Sequence, residues 1–164
     1  QAITDIYNAA VIRGGASADI TPRTYEQRKA WVESHHDPYA VFVTETVDDD
    51  GTRQIIGFSA LSVFYDRAGY DGVTDLAYYI DPQWQGRGVG TYTLTKLLEE
   101  CRKRNMRKAC GIIFADNAGS IALMKRFGFT QFGFHRHHAR HELLVSRPVS
   151  TIFAVIKTRQ RGAI

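Results

Sequence analysis

Apolar positions recur at two different periods along this chain, and each change of period marks a new element. Over residues 2–12 the apolar side chains Ile3, Ile6, Ala10 and Val11 fall at helical spacing. Residues 24–36 form a second helical stretch, with Tyr25, Trp31 and Val32 on its apolar side and Asp37-Pro38 as its stop. The pattern then alternates over 39–47, turns through Asp48-Asp49-Asp50-Gly51, and continues as a strand over 54–65, which predicts a hairpin. Residues 66–72 are polar and glycine-containing and read as a loop before the strand 73–80. The clearest helical stripe is Val89, Leu94, Leu97, Leu98 and Cys101, within 89–104. A short buried strand at 109–115 precedes a helix at 120–127, which Asn117 can cap and Gly128 can stop. Strands at 130–135 and 150–157 close the series, and the His- and Arg-rich stretch 136–148 between them fits neither period. A hairpin-rich first half and a strand-helix-strand second half predict an α+β domain.

No repeat or linker divides the 164 residues, so a single domain is expected, large enough to bury about two-thirds of its unfolded surface. The 44% hydrophobic and 23% charged fractions are those of an ordinary globular chain. The net charge of +4 comes from scattered basic residues and one local cluster, Arg102, Lys103, Arg104, Arg107 and Lys108. That cluster resembles a solvated helix end rather than a stripe along a phosphate backbone, so no nucleic-acid partner is expected. Cys101 and Cys110 fall at apolar positions and form no C-x-x-C pair, which predicts a reducing, cytoplasmic setting. No apolar run approaches the ~18 residues that span a membrane, so no membrane partner is expected.

Candidate chemistry concentrates in Gln85-Gly86-Arg87-Gly88-Val89-Gly90, which follows an apolar strand and opens into the clearest helix. Alternate glycines leave backbone N–H groups open to close approach by an anion. The helix start adds unsatisfied donors and a partial positive charge, so the turn reads as a phosphate or pyrophosphate site. A Walker loop is excluded because no Lys-Ser or Lys-Thr follows the glycines. A dinucleotide fingerprint is excluded because position 91 is Thr where its third glycine should stand.

The pattern Q-x-x-G-x-G instead resembles the acyl-CoA pyrophosphate loop of the GNAT N-acetyltransferase superfamily. Downstream, Asn117, Ser120, Leu123 and Gly128-Phe129 resemble that superfamily's N-x-x-S-x-x-L segment and its G-F close. The resemblance implies a mixed, mostly antiparallel sheet flanked by helices, splayed between the strand ending near Ile80 and the one beginning near Ala109. It also implies acetyl-CoA as co-substrate and no metal. Tyr78, Tyr79 and Ile80 would pair with the pantetheine arm through their main chains. Gln85, Gly86, Arg87, Gly88, Val89, Gly90 and Thr91 would hold the pyrophosphate, with Asn117 and Ser120 at the pantetheine; Asn117 equally reads as a plain helix cap. Family domains begin with a strand, whereas this sequence opens on a helix, so a first strand is either missing at the N-terminus or absent.

Similarity over about residues 2–134 narrows this to a branch that resembles phosphinothricin acetyltransferases and related small amino-acid acetyltransferases. It is carried by Pro22, Thr24, Arg28 and Trp31, and by the run from Arg67 through Tyr70 to Asp75. The branch implies Asp75 as catalytic base, Arg67 and Tyr70 at the acceptor site beside it, a small-molecule amine as substrate, and a homodimer. Asp75 also reads as a strand-end aspartate in water, and Arg67 as an exposed loop residue. The mechanism implied is direct attack in a ternary complex, with neither cysteine near the site.

Three departures stand out. Met124 occupies the place of the usual Tyr or His acid and cannot donate a proton. Ala18 replaces an aromatic residue of the acceptor wall, which implies a wider pocket. His135 to Glu142, carrying four histidines, reads as a solvated loop, a metal or anion contact, or an alternative acid. Acceptors other than an amino acid or amino-acid-like toxin are a protein or peptide N-terminus or a polyamine. A non-catalytic acyl-CoA-binding module is the different-class alternative.

Overall fold

The computed structural model describes residues 1–135 and 152–158, with side chains through Gln131. The chain runs α1 (Ala2–Arg13), α2 (Tyr25–Glu33), β1 (Ala40–Val47), β2 (Arg53–Val63), β3 (Val73–Ile80), α3 (Val89–Lys103), β4 (Lys108–Phe114), α4 (Ala118–Arg126), β5 (Thr130–His135) and β6 (Ile152–Thr158). Each of these elements was expected, with ends displaced by a few residues. Short 3-10 turns at Ala68–Tyr70 and Pro82–Trp84 were not, since three residues are too few to show a period. The His- and Arg-rich residues 136–142 lie outside the described residues.

The strands form one six-stranded sheet in the order β1-β2-β3-β4-β6-β5. All neighbours are antiparallel except β3 and β4, which the crossover through α3 makes parallel. Central β2 is buried on both faces, as its near-continuous apolar run from Ile56 to Leu61 requires. Alternate residues serve different layers. Leu61 and Leu76 pack with Leu94, Leu97, Leu98 and Cys101 of α3. Phe58 packs on the other face with Ile6, Tyr7 and Val11 of α1. Helix α2 joins this second layer through Trp31, its start fixed by a capping box between Thr24 and Gln27.

One irregularity in this sheet creates the site. Strands β3 and β4 pair only where Val73–Asp75 meets Lys108–Cys110. Beyond that point the register ends, and residues 76–80 and 111–114 stand on opposite sides of a cleft of about 790 Å³.

Candidate active site between the diverging central strands

At one end of the cleft the chain leaves β3 through Asp81, whose carboxylate accepts from the Gln83 amide and starts a 3-10 turn. Gln85 then ties the turn down twice. Its Nε2 donates to the Ile80 carbonyl at 2.9 Å, and its Oε1 accepts from Arg13 Nη1 at 2.7 Å. Gly86 and Gly88 have φ of 75° and 86°, a left-handed backbone that other residues adopt at a cost. Helix α3 begins at Gly88 with no side-chain cap, so the amides of its first turn keep their hydrogen-bonding capacity. From the far side Arg126, in the last turn of α4, donates to Thr91 Oγ1 at 2.6 Å. Arg13 and Arg126 both line the cleft and pair with neutral groups, so that among the described residues their charges are uncompensated next to the amide cluster.

Gln85, Gly86, Gly88, Gly90 and Thr91 line the cleft, as do Tyr78, Tyr79, Ile80, Asn117 and Ser120. Val89 is the first residue of α3 and Arg87 lies over the Trp84 ring at 5.3 Å; neither contributes to the cleft wall. Asn117 caps α4, its Oδ1 accepting from the Ser120 amide at 3.1 Å, and borders the cleft at the same time. Met124 is buried against the bare backbone of Gly111, where a Cβ would come within 2.8 Å of its methyl group. It forms part of the cleft wall.

Asp75 sits where the strands part. It is paired in register with Ser62 of β2 and with Cys110 of β4. Its Oδ1 is buried without a hydrogen-bond partner, and burial raises its pKa to about 6. A carboxyl with that affinity exchanges a proton near neutrality, which is what general base catalysis requires. The exposed strand-end reading is therefore wrong: β2 and β4 enclose this position from both sides. Cys110 had been expected away from the site and is instead next to Asp75. Burial, reinforced by the Asp75 charge, pushes its thiol up to about 11. Burial, with a smaller contribution from the Glu100 charge, pushes Cys101 equally far, to about 11. Thiols with such values stay protonated near neutrality and are poor nucleophiles.

Neighbouring phenols are also raised by desolvation. Tyr78 Oη is buried without a well-formed hydrogen bond, although Ser120 lies close enough to oppose the shift. Tyr79 stacks on Phe58 at 5.1 Å and meets the edge of Tyr7 at 5.2 Å.

A third wall comes from α1 and the loop after it. Tyr7 Oη lies 2.8 Å from Ser17 Oγ and donates to Asp19 Oδ2 at 2.6 Å. Arg23 Nε donates to the same carboxylate at 2.7 Å and holds it well below the usual carboxylate range. Behind Tyr7, the buried Arg28 guanidinium lies 3.8 Å from the Tyr7 ring centre and 4.0 Å from that of Trp31. Ala18 is on this wall, with Ser17 and Asp19 on either side. The sequence contained a signal for this support, since Arg28 and Trp31 were part of the matched run. Nothing local marked Tyr7, Ser17 or Asp19 as lining residues.

Arg67 and Tyr70 are not brought to the cleft. Arg107, just ahead of β4, clamps their loop, donating to the Asp71 and Gly69 carbonyls at 2.6 Å each. Tyr70 turns onto Phe64 and Tyr65, with ring centres 5.8 and 5.3 Å away, and stays largely exposed. Among the described residues of one chain, the cleft that holds Asp75 is lined by Tyr7, Ser17 and Asp19 and not by Arg67 or Tyr70.

Comparison with known proteins gives a consistent result. The sequence profile of the Acetyltransferase (GNAT) family matches residues 3–129. The chain is 29% identical over 140 residues to the phosphinothricin N-acetyltransferase of Streptomyces coelicolor, covering 84% of this chain and 80% of that protein. It is 30% identical over 130 residues to the L-methionine sulfoximine/L-methionine sulfone acetyltransferase of Salmonella typhimurium, covering 79% of this chain and 73% of that protein. Among solved structures, ribosomal-protein-alanine N-acetyltransferase from Brucella melitensis superposes with a TM-score of 0.84 at 27% identity, covering 95% of this chain and 91% of that one.

Proposed function

The chain belongs to the Acetyltransferase (GNAT) family, and from that premise we propose that it transfers acetyl from acetyl-CoA to the primary amine of a small amino acid or an amino-acid-like toxin. The observation carrying this reading is one continuous cleft with a glycine turn at one end and the carboxylate of Asp75, its Oδ1 buried without a partner among the described residues, at the other. The named relatives that act on phosphinothricin and on methionine sulfoximine supply the substrate class.

In the proposed reaction the pyrophosphate of acetyl-CoA lies on the amides of Gly86 to Thr91, and the pantetheine arm extends along residues 76–80. Asp75 takes a proton from the substrate ammonium, directly or through water. The freed amine then attacks the thioester carbon, and collapse breaks the C–S bond. A backbone N–H of the β3 strand stabilises the oxygen that carries the charge in between. CoA leaves as thiolate, a tolerable leaving group with a thiol pKa near ~8.5, and the surplus proton on the newly acylated nitrogen passes to it through water in place of an acid at Met124. Cys110, protonated and buried, takes no covalent part.

A second reading, acetylation of a protein or peptide N-terminus, is favoured by the small Ala16-Ser17-Ala18 stretch on the cleft wall. Thiol release from acetyl-CoA against a panel of amino acids, peptides and polyamines separates the two. Turnover with amino acids or methionine sulfoximine supports the first reading, and turnover confined to peptides replaces it. Binding of acetyl-CoA with no turnover across the panel would mean a binding module and overturn both.

The two arginines at the turn give a separate expectation. Arg126→Ala and Arg13→Ala should each raise the KM for acetyl-CoA about fivefold to tenfold, roughly 1–1.4 kcal/mol, with kcat little changed. Steady-state kinetics at two salt concentrations checks this, since the effect should shrink as salt rises.

A further inference from the structure

The buried Oδ1 of Asp75 has no partner among the described residues, although a hydroxyl stands directly across the strand pair from it. Directly paired antiparallel residues point to the same face with Cβ atoms about 4.5–5.5 Å apart, so a rotation of Ser62 could bring its hydroxyl towards Asp75. It is held elsewhere. His35, just past the end of α2, lies with Nε2 2.9 Å from Ser62 Oγ and Nδ1 2.7 Å from the Trp31 carbonyl. A carbonyl only accepts, so in the neutral ring the hydrogen is on Nδ1 and Nε2 is an acceptor. The Ser62 hydroxyl must then donate to His35, and it has no hydrogen left for Asp75.

We propose that His35 is a positioning residue that keeps the Ser62 hydroxyl turned away from Asp75, and so leaves the carboxylate without that donor. A carboxylate that accepts a hydrogen bond becomes a weaker base, so the orientation of this hydroxyl sets how readily Asp75 takes the substrate proton. No other described group supplies the missing donor. From β4 the neighbour is the protonated, buried Cys110; on β3 itself it is Tyr79, whose charge coupling to Asp75 is weak; across the cleft, Tyr7 already donates to Asp19. His35 is half-buried, with its ring edge against Trp31 at 4.6 Å, so a phenylalanine there can keep the packing while losing the acceptor.

The inference rests on Asp75 being the base only for its catalytic meaning, and its test does not need activity. The midpoint of the Asp75 carboxyl, followed by carbon NMR, should fall by about one pH unit, a tenfold loss of proton affinity, in His35→Phe. In Ser62→Ala it should stay within a few tenths, and in the double variant it should return to the wild-type value. An unmoved midpoint in His35→Phe, or a double variant that matches that single one, overturns the proposal. Nitrogen NMR of the wild type provides a reading that needs no variant to fold: His35 should carry its proton on Nδ1, and a proton on Nε2 overturns the proposal equally. The acidic limb of kcat/KM should follow the NMR midpoint. If the midpoint moves and the limb does not, the inference about His35 stands and the assignment of Asp75 as base fails.

Discussion

Replacing Asp75 with asparagine is expected to lower kcat by a factor of about 10²–10⁴, the usual contribution of a positioned general base, while the KM for acetyl-CoA stays within about twofold. Asparagine keeps the shape of the side chain and cannot take the ammonium proton. In the unaltered protein the same group fixes the acid limb of the pH profile. Only the carboxylate form is active, so kcat/KM should fall as pH drops through about 6, and the limb should vanish in the variant. The same substitution should stabilise the fold near neutrality, and the sign follows from linkage. The folded-state pKa, about 6, lies above the ~3.9 of an unfolded aspartate. Below pH ~4 both states hold the proton; between ~4 and ~6 the unfolded chain releases it first, so stability falls as pH rises. At pH 7 nearly the full cost applies, on the order of 3 kcal/mol. Asp75→Asn should therefore raise the Tm by several degrees at pH 7, at about 2–4 °C per kcal/mol, and hardly at all at pH 4. Kinetics and thermal unfolding on one variant check both parts. A purely structural aspartate would lose stability along with activity, so opposite signs identify the base.

Phe58→Ala is expected to have the largest effect on stability, about 3–5 kcal/mol. Phe58 is fully buried in β2, stacked on Tyr79 and met edge-on by Trp31. Its loss leaves a cavity at the junction of α1, α2 and the sheet. It also removes one of the three rings facing the buried Arg28, whose Nε has no hydrogen-bond partner to compensate. At about 2–4 °C per kcal/mol the Tm should fall by roughly 10 °C. Tyr70→Ala makes the contrast: its side chain is largely exposed on a loop, and a surface change of that kind stays within about 0.5 kcal/mol. Denaturant titration of the two variants side by side checks the ranking.

The sequence conveyed most where a feature is local. Apolar pattern together with turn, cap and stop residues located the four described helices and six strands, because these signals all lie within each element or at its ends. The glycine turn and Asn117 were legible because close backbone approach and helix capping require particular residues at particular offsets. Features joined across the fold were not legible. Arg13 meets Gln85 from 72 positions away, and His35 meets Ser62 from 27 away. Nothing in either neighbourhood signals such a contact. Tyr7 was not among the apolar positions that marked α1, yet its hydroxyl reaches Ser17 and Asp19 at the cleft. Arg67 and Tyr70 show the converse: they lie close to Asp75 in the chain yet do not line the cleft, and Arg107 holds their loop from just ahead of β4.

The early end of pairing between β3 and β4 has a consequence for isotope exchange. Amides in the middle of a sheet usually exchange only when the whole domain opens. Along the cleft, those of residues 76–80 and 111–114 that face the gap have no strand opposite them and should exchange as fast as those of an outer strand. An extended ligand lying between the strands would slow them, as if a missing strand had been restored. Deuterium uptake at these few positions in the centre of the molecule thus becomes a gauge of occupancy, one that requires neither turnover nor knowledge of the acceptor.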